Sequence, residues 1–284
     1  DLMPYVERDG VDLSIYDGAA EKLTLDGKLY GLPFRNDLWL LYYNKDLFDK
    51  AGIAYPTDDT TYDEFLDMIA KLKASGVTPI AIGSKNSGYS MWEFNEFFSR
   101  YGWEDNEKSY TGDKAKYSND DMNACFEKIK GLADAGAFPE NMATIEYFDA
   151  KQLFNEGKAA MFGTGQWDCA EFDKNVGEHI GFWWGPKFED SSYEQNIAMK
   201  VPAAPLVVSS AVKDNDKAKE AVYAFLKYYY GGIYDEENYI LFFEWNRIMH
   251  SSSCNSCIGS RSCTGRRNNN YKFYCISEGY KLLD

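Results

Sequence analysis

Runs of apolar residues along the first 230 positions switch between the period of a strand and that of a helix. The densest run lies in residues 28–50. Leu29–Phe34 and Leu38–Tyr43 are both rich in apolar and aromatic side chains, the pattern of strands buried on two faces. Arg35, Asn36 and Asp37 stand between them. Polar groups between two buried strands form either a solvated turn or a cluster facing a ligand. Upstream, residues 1–20 show no period and predict a loop or short helical turns. Lys22–Leu25 and Lys28–Leu32 flank Asp26-Gly27, which predicts a tight hairpin with positive φ at both central residues. Lys45–Gly52 reads as a short helix closed by its glycine.

Further along, Thr61-Tyr62-Asp63-Glu64 is a capping box opening a helix. Phe65, Met68, Ile69 and Leu72 form its apolar stripe, and Gly76 stops it. Val77–Ile82 then reads as a strand, giving the strand, helix, strand order of an α/β unit. Ser84–Ser90 is a loop at that strand's carboxyl end, where open α/β sheets bind ligands. Met91–Tyr101 predicts an aromatic helix. Ser118–Asp121 caps another, with Met122, Phe126, Ile129 and Ala133 inward and Gly136 as its stop. Asp149–Gly157 is a short helix. Ala159–Phe162 is a strand that runs into Gly163-Thr164-Gly165-Gln166-Trp167. Ile180–Gly185 and Leu206–Ser209 read as further strands. Asp214–Tyr230 is an amphipathic helix with Ala218, Val222, Phe225, Leu226 and Tyr229 inside.

Composition narrows the partners. A formal charge of −15 over 284 residues disfavours nucleic acid and anionic membrane, which both require a basic face. The 22 Tyr, 18 Phe and 7 Trp supply core, and flat rings with a polar edge also suit the C–H faces of sugars. No run reaches the ~18 apolar residues of a membrane-spanning helix. The opening Asp1-Leu2-Met3-Pro4 shows no charged-then-apolar leader.

Two strings carry a family resemblance. Tyr30-Gly31-Leu32-Pro33 followed by Tyr43-Asn44-Lys45-Asp46-Leu47-Phe48 resembles the extracellular solute-binding proteins that feed sugars to ABC transporters, of the type that binds maltose and other oligosaccharides. Phe154-Asn155-Glu156-Gly157-Lys158-Ala159-Ala160-Met161 with the Trp167 turn is similar to a second motif of that family. The helix around Lys217–Tyr228 is similar to the one the family uses before the chain recrosses. The resemblance implies a periplasmic-binding-protein-like type II fold: two α/β lobes, each a mixed sheet flanked by helices, closing on a ligand like a hinged trap. Residues 1–37 would be a remnant of the first lobe and crossover, and 38–230 the second lobe. The family's opening βαβ units would precede Asp1, so the chain as given is expected to bind sugar weakly or not at all. The implied ligand is a mono- or oligosaccharide and the implied partner an ABC permease. The resemblance implies no cofactor, a monomer, and an extracellular or periplasmic place with a lipid anchor on the full-length protein.

The same resemblance selects candidate ligand contacts. Trp167 would stack on a pyranose. Asp37 would accept from sugar hydroxyls, a charge-assisted arrangement, beside Asn36 and Arg35. Tyr89 and Trp92 follow the small-residue loop. Trp183 and Trp184 are adjacent, so a strand turns them to opposite faces; one is expected in the core, and Trp184 is taken as the candidate. Trp39 is expected in the core. Glu93, Glu96 and Glu146 are alternatives as hydroxyl acceptors, or else lie on solvated helix faces.

Other classes find less support. With 45 acids, some pair always stands at glycosidase spacing, so acid abundance carries no signal. Two histidines, His179 and His250, leave no basis for a His-centred triad, and no Gly-x-Ser-x-Gly elbow or phosphate loop is present. After Gly231-Gly232 the character changes. The tail 231–284 holds Cys254, Cys257, Cys263 and Cys275, is neutral overall, and matches no family element. A reading frame shifted after Tyr230, a divergent tail and a weak zinc pattern are its three readings. Cys125 and Cys169 read as small apolar residues within elements. The alternative function is an interaction module on the same fold without transport.

Overall fold

The computed structural model describes residues 1–13, 19–86, 92–102, 119–197, 200–203 and 205–231. Residues 231–284 were expected as a separate tail; beyond Gly231 they lie outside the described residues. The chain forms two compact units. Among the described residues, one comprises 1–37 with 200–231 and the other 38–197. The strand and helix at 206–231, read from the sequence as part of the second lobe, therefore group with the N-terminal unit.

In the first unit, helix α1 (Met3–Asp9) has Pro4 in its first turn and ends at Gly10 with φ 67°. Both are start and stop signals that fix a helix in a stretch without apolar period. Helix α2 (Ala19–Lys22) leads into strands β1 (Thr24–Leu25) and β2 (Lys28–Leu29), which form the expected hairpin. Asp26 and Gly27 sit at φ 50° and 72°, as a type I′ turn requires. Strand β3 (Gly31–Leu32) pairs antiparallel with β9 (Leu206–Val207), which follows β8 (Lys200–Ala203). Helix α9 (Asp216–Gly231) covers this unit's core of Leu2, Val6, Leu29 and Leu32 with Tyr223, Leu226 and Tyr230. Phe225, expected inside, is 54% exposed. The buried stripe turns to Tyr230, whose hydroxyl donates to the Pro33 carbonyl at 2.8 Å, and to Tyr223, which stacks on Tyr5.

The second unit is built on β4 (Arg35–Asn44), which enters it at Leu38 while its first three residues group with the first unit. The polar triplet is not a turn between two strands: Arg35, Asn36 and Asp37 open one ten-residue strand, and Asp37 is buried. Helix α3 (Lys45–Ala51) follows, capped by Asn44 and closed by Gly52 at φ 67°. The Thr61 capping box opens α4 (Tyr62–Ala74), which buries Tyr62, Phe65, Ile69 and Leu72. Strand β5 (Thr78–Ala81), a 3-10 turn at Trp92–Phe94, α5 (Asn95–Arg100), α6 (Asp120–Asp134), α7 (Tyr147–Asn155), β6 (Ala159–Gly165), a 3-10 turn at Gln166–Asp168, α8 (Cys169–Asn175) and β7 (Ile180–Trp183) complete it. In α6, Phe126 and Ala133 are exposed, against expectation. The inward stripe is Met122, Cys125 and Leu132 with Ile129 beside them, because Tyr62 packs on Gly131 and donates to the Lys128 carbonyl at 2.7 Å.

The sheet order is β5-β6-β4-β7. Strand β5 runs parallel to β6, and β4 runs antiparallel to both β6 and β7. The carboxyl ends of β5, β6 and β7 and the amino end of β4 therefore share one edge of the unit. Leu38–Tyr43 are all buried, so both faces of β4 are covered. One face meets Phe65, Phe97 and Phe98; on the other, Tyr42 meets the α8 residue Phe172 edge-on.

Candidate functional site

The shared edge gathers tryptophans. Trp39 stands opposite Gly165 in the β4–β6 ladder, and Trp167 lies two residues past that glycine. The two indoles meet edge to face, 4.7 Å between centroids and 89° between planes, a favoured aromatic geometry. A Cβ on Gly165 would collide with the Trp167 ring. This glycine makes room for the indole itself: the ring folds back over the strand end, against buried Trp39, and is half-buried. Trp183 is the core member of its pair, its indole N–H donating to the Thr57 carbonyl at 3.0 Å. Trp184, one residue beyond the paired strand at the same edge, is half-buried against Phe182.

Of the remaining candidates, Asp37 is 4% exposed, two residues before Trp39 on β4. Arg35 and Asn36 open the same strand and Trp92 opens its 3-10 turn, but their side chains lie outside the described residues, as does the whole of Tyr89. Solvated helix faces do not account for Glu93 and Glu96, which are 8% and 6% exposed. Glu96 pairs with buried Arg100, Nη1 to Oε2 at 3.0 Å, and Arg100 Nε donates to the Gln195 carbonyl. Glu146 is half-buried; it caps α7 and pairs with Lys85. Cys125 is buried as expected, whereas Cys169, the first residue of α8, is half-buried.

Glu93 is the exceptional acid. Neither carboxyl oxygen meets a hydrogen-bond partner of good geometry. Burial pushes its pKa well up, and the Gly83 backbone N–H opposes this without overcoming it. The side chain borders a cavity of about 20 Å³ shared with Trp39, Phe65, Phe97 and Gly185, room for one water. Its backbone rests directly on β6, since a Cβ on Gly163 would lie 2.7 Å from the Glu93 carbonyl oxygen.

A second polar group lies behind Trp167, and the sequence reading missed it. Asp168, 6% exposed, accepts from Thr164 Oγ1 at 2.8 Å and from Lys151 Nζ at 3.1 Å, with the Tyr147 hydroxyl at 3.2 Å. Lys151 also donates to Glu171 at 2.8 Å, and Asn155 donates to the other Glu171 oxygen at 2.7 Å. Burial works against the Lys151 charge, yet its ion pairs raise its pKa. Tyr147, Lys151 and Asn155 recur every four residues and so share one face of α7. That spacing was the available signal.

Among the described residues, no helix is long and apolar enough to cross a membrane, and no group of His, Cys, Asp and Glu has the arrangement of a metal site.

The sequence profile of the bacterial extracellular solute-binding proteins matches residues 1–231. The chain belongs to this family. As a solute-binding protein it has the periplasmic-binding-protein-like α/β fold of its structural neighbours. A chitin oligosaccharide binding protein superposes with a TM-score of 0.70 at 28% identity, over 81% of this chain and 56% of that one. A structure from work on xylan utilization by Caldanaerobius polysaccharolyticus gives 0.65 at 30% identity, over 81% and 60%. The sn-glycerol-3-phosphate-binding periplasmic protein UgpB of Brucella abortus (strain 2308) is 33% identical over 141 residues, 48% of this chain. The chain spans 31% of that relative's length.

Proposed function

We propose that this solute-binding protein captures a neutral mono- or oligosaccharide outside the cell and delivers it to an ABC permease, without catalysing a reaction on it. The observation that carries this reading is the half-buried Trp167 indole, braced by Trp39 and Gly165 at the edge shared by four strand ends. A rigid flat ring offers a hexose its C–H face at little conformational cost. Buried carboxyl groups at Asp37 and Glu93 and the net charge of −15 favour neutral hydroxyl-rich ligands over a phosphate ester. A phosphate would call for several cationic donors; Lys151 is already held by Asp168 and Glu171, which leaves Arg35 as the one cation of the proposed ligand set.

Asp37, Asn36 and Arg35 at the start of β4, with Tyr89, Trp92 and Trp184, complete the proposed ligand set. The neighbour described as a chitin oligosaccharide binding protein supports the ligand class. Membership of an extracellular solute-binding family supports an extracellular or periplasmic setting; a lipid anchor and a monomeric state are part of the proposal. Calorimetric titration of the full-length protein with maltotriose, chitobiose, xylobiose, raffinose and glycerol 3-phosphate tests it. Saturable binding of at least one sugar, with glycerol 3-phosphate silent, is expected. Binding of glycerol 3-phosphate alone would overturn the ligand class, and binding of none would favour the interaction module.

A further inference from the structure

We propose that Asp168 is a positioning residue for the Trp167 face, locking the indole through a buried relay of Thr164, Tyr147 and Lys151. The inference rests on the reading above only for the consequence in ligand affinity.

Trp167 and Asp168 are consecutive in one three-residue 3-10 turn. Such a turn has few backbone hydrogen bonds of its own, so side-chain anchors set its geometry. Asp168 supplies one. The Tyr147 and Thr164 oxygens lie 2.5 Å apart and each can donate a single proton. The arrangement using each proton once runs from Tyr147 to Thr164 and from Thr164 to Asp168 Oδ2, the shorter of the two approaches to that oxygen. Lys151 serves the other oxygen, Oδ1.

The relay thus ties the turn to β6 through Thr164 and to α7 through Tyr147 and Lys151. On the far side, the indole lies over Gly165 and against Trp39. Buried hydrogen bonds to a charged group are among the stronger ones, and a network of this kind holds one arrangement. Because its carboxyl oxygens are already occupied, Asp168 acts on the ligand through Trp167 rather than by accepting a sugar hydroxyl.

Two variants test the assignment in the full-length protein. Asp168→Asn removes the charge with little change of shape, and Lys151 keeps Glu171 as a partner. Thr164→Val keeps the volume and removes the relay hydroxyl. The Trp39–Trp167 pair contributes a near-UV circular dichroism signal, isolated by subtracting the spectrum of Trp167→Phe. Both variants are expected to unfold cooperatively in urea and to lose at least half of that signal. The sugar dissociation constant should rise tenfold or more in Asp168→Asn and less in Thr164→Val. A folded variant with unchanged signal and affinity overturns the proposal. If Asp168→Asn does not fold, Thr164→Val decides by the same two readings. If the parent protein binds no sugar, the carbohydrate reading fails while the spectroscopic arm still decides the positioning role.

Discussion

Glu93 shows how one side chain can set a pH dependence. Its carboxyl lies in an apolar, water-sized cavity without a good hydrogen-bond partner, and burial holds its folded-state pKa above the unfolded value. Tyr147 of α7 and Glu96 and Arg100 of α5 are the titratable and charged neighbours on the packed elements; Tyr147 is itself raised by burial, and Glu96 and Arg100 largely satisfy each other. Below the unfolded pKa, about 4.3 for glutamate, both states are neutral and the site costs no ionisation. As pH rises, the unfolded chain ionises first, so stability falls until the folded pKa is passed. Glu93→Gln removes that slope. The variant's advantage over wild type in urea unfolding should therefore grow as pH rises above the unfolded value of about 4.3, and a constant difference would show that Glu93 does not set the slope. Little of this was legible in the sequence. Glu93 has the composition of an ordinary helix acid, and only the contact of its backbone with Gly163 draws it inside. Trp167 stood out in the sequence through the family motif, whereas the role of Gly165 in making space for its indole emerges only from the fold.

At the scale of elements, local chemistry was readable where it is self-contained. The Thr61 capping box, the Asp26-Gly27 turn and the stops at Gly52 and Gly136 all fall where the sequence puts them. Thr61 Oγ1 accepts from the Glu64 N–H, and Glu64 accepts from the Thr61 N–H at 2.8 Å. Thr61→Ala should cost about 1 kcal/mol in unfolding free energy, read as a lowered urea midpoint with unchanged slope; no shift would show that α4 draws nothing from its cap. The phase of helices whose partners lie far along the chain was not readable. Phe126 and Phe225 both fit an apolar stripe, but tertiary contacts by Tyr62 on α6 and Tyr230 on α9 select the neighbouring stripe. The start of β4 was misread for a related reason. A strand that opens with Arg35-Asn36-Asp37 looks like a turn until its register is known. The network behind Trp167 joins α7, β6 and α8, and the four-residue spacing of Tyr147, Lys151 and Asn155 was its one trace in sequence.

For the whole molecule, chain order and unit membership differ. The chain leaves the first unit at Asp37 and rejoins it at Lys200, so residues far apart in sequence share a core, as Leu29 and Leu226 do. The sequence motifs sit on both sides of this passage, which is why the family was readable while the place of α9 was not. The family match ends at residue 231, and the cysteine-bearing tail lies outside it. Both the proposed sugar recognition and its positioning relay converge on one aromatic face. The most direct test is a calorimetric titration of wild type and Trp167→Ala with the sugar that the ligand panel selects, alongside urea unfolding of both. Sugar stacking on Trp167 requires a Trp167→Ala protein that still unfolds cooperatively, its midpoint lowered by the lost Trp39 contact, with at least a tenfold loss of affinity, about 1.4 kcal/mol. A folded Trp167→Ala protein that binds the sugar as tightly as wild type would contradict it.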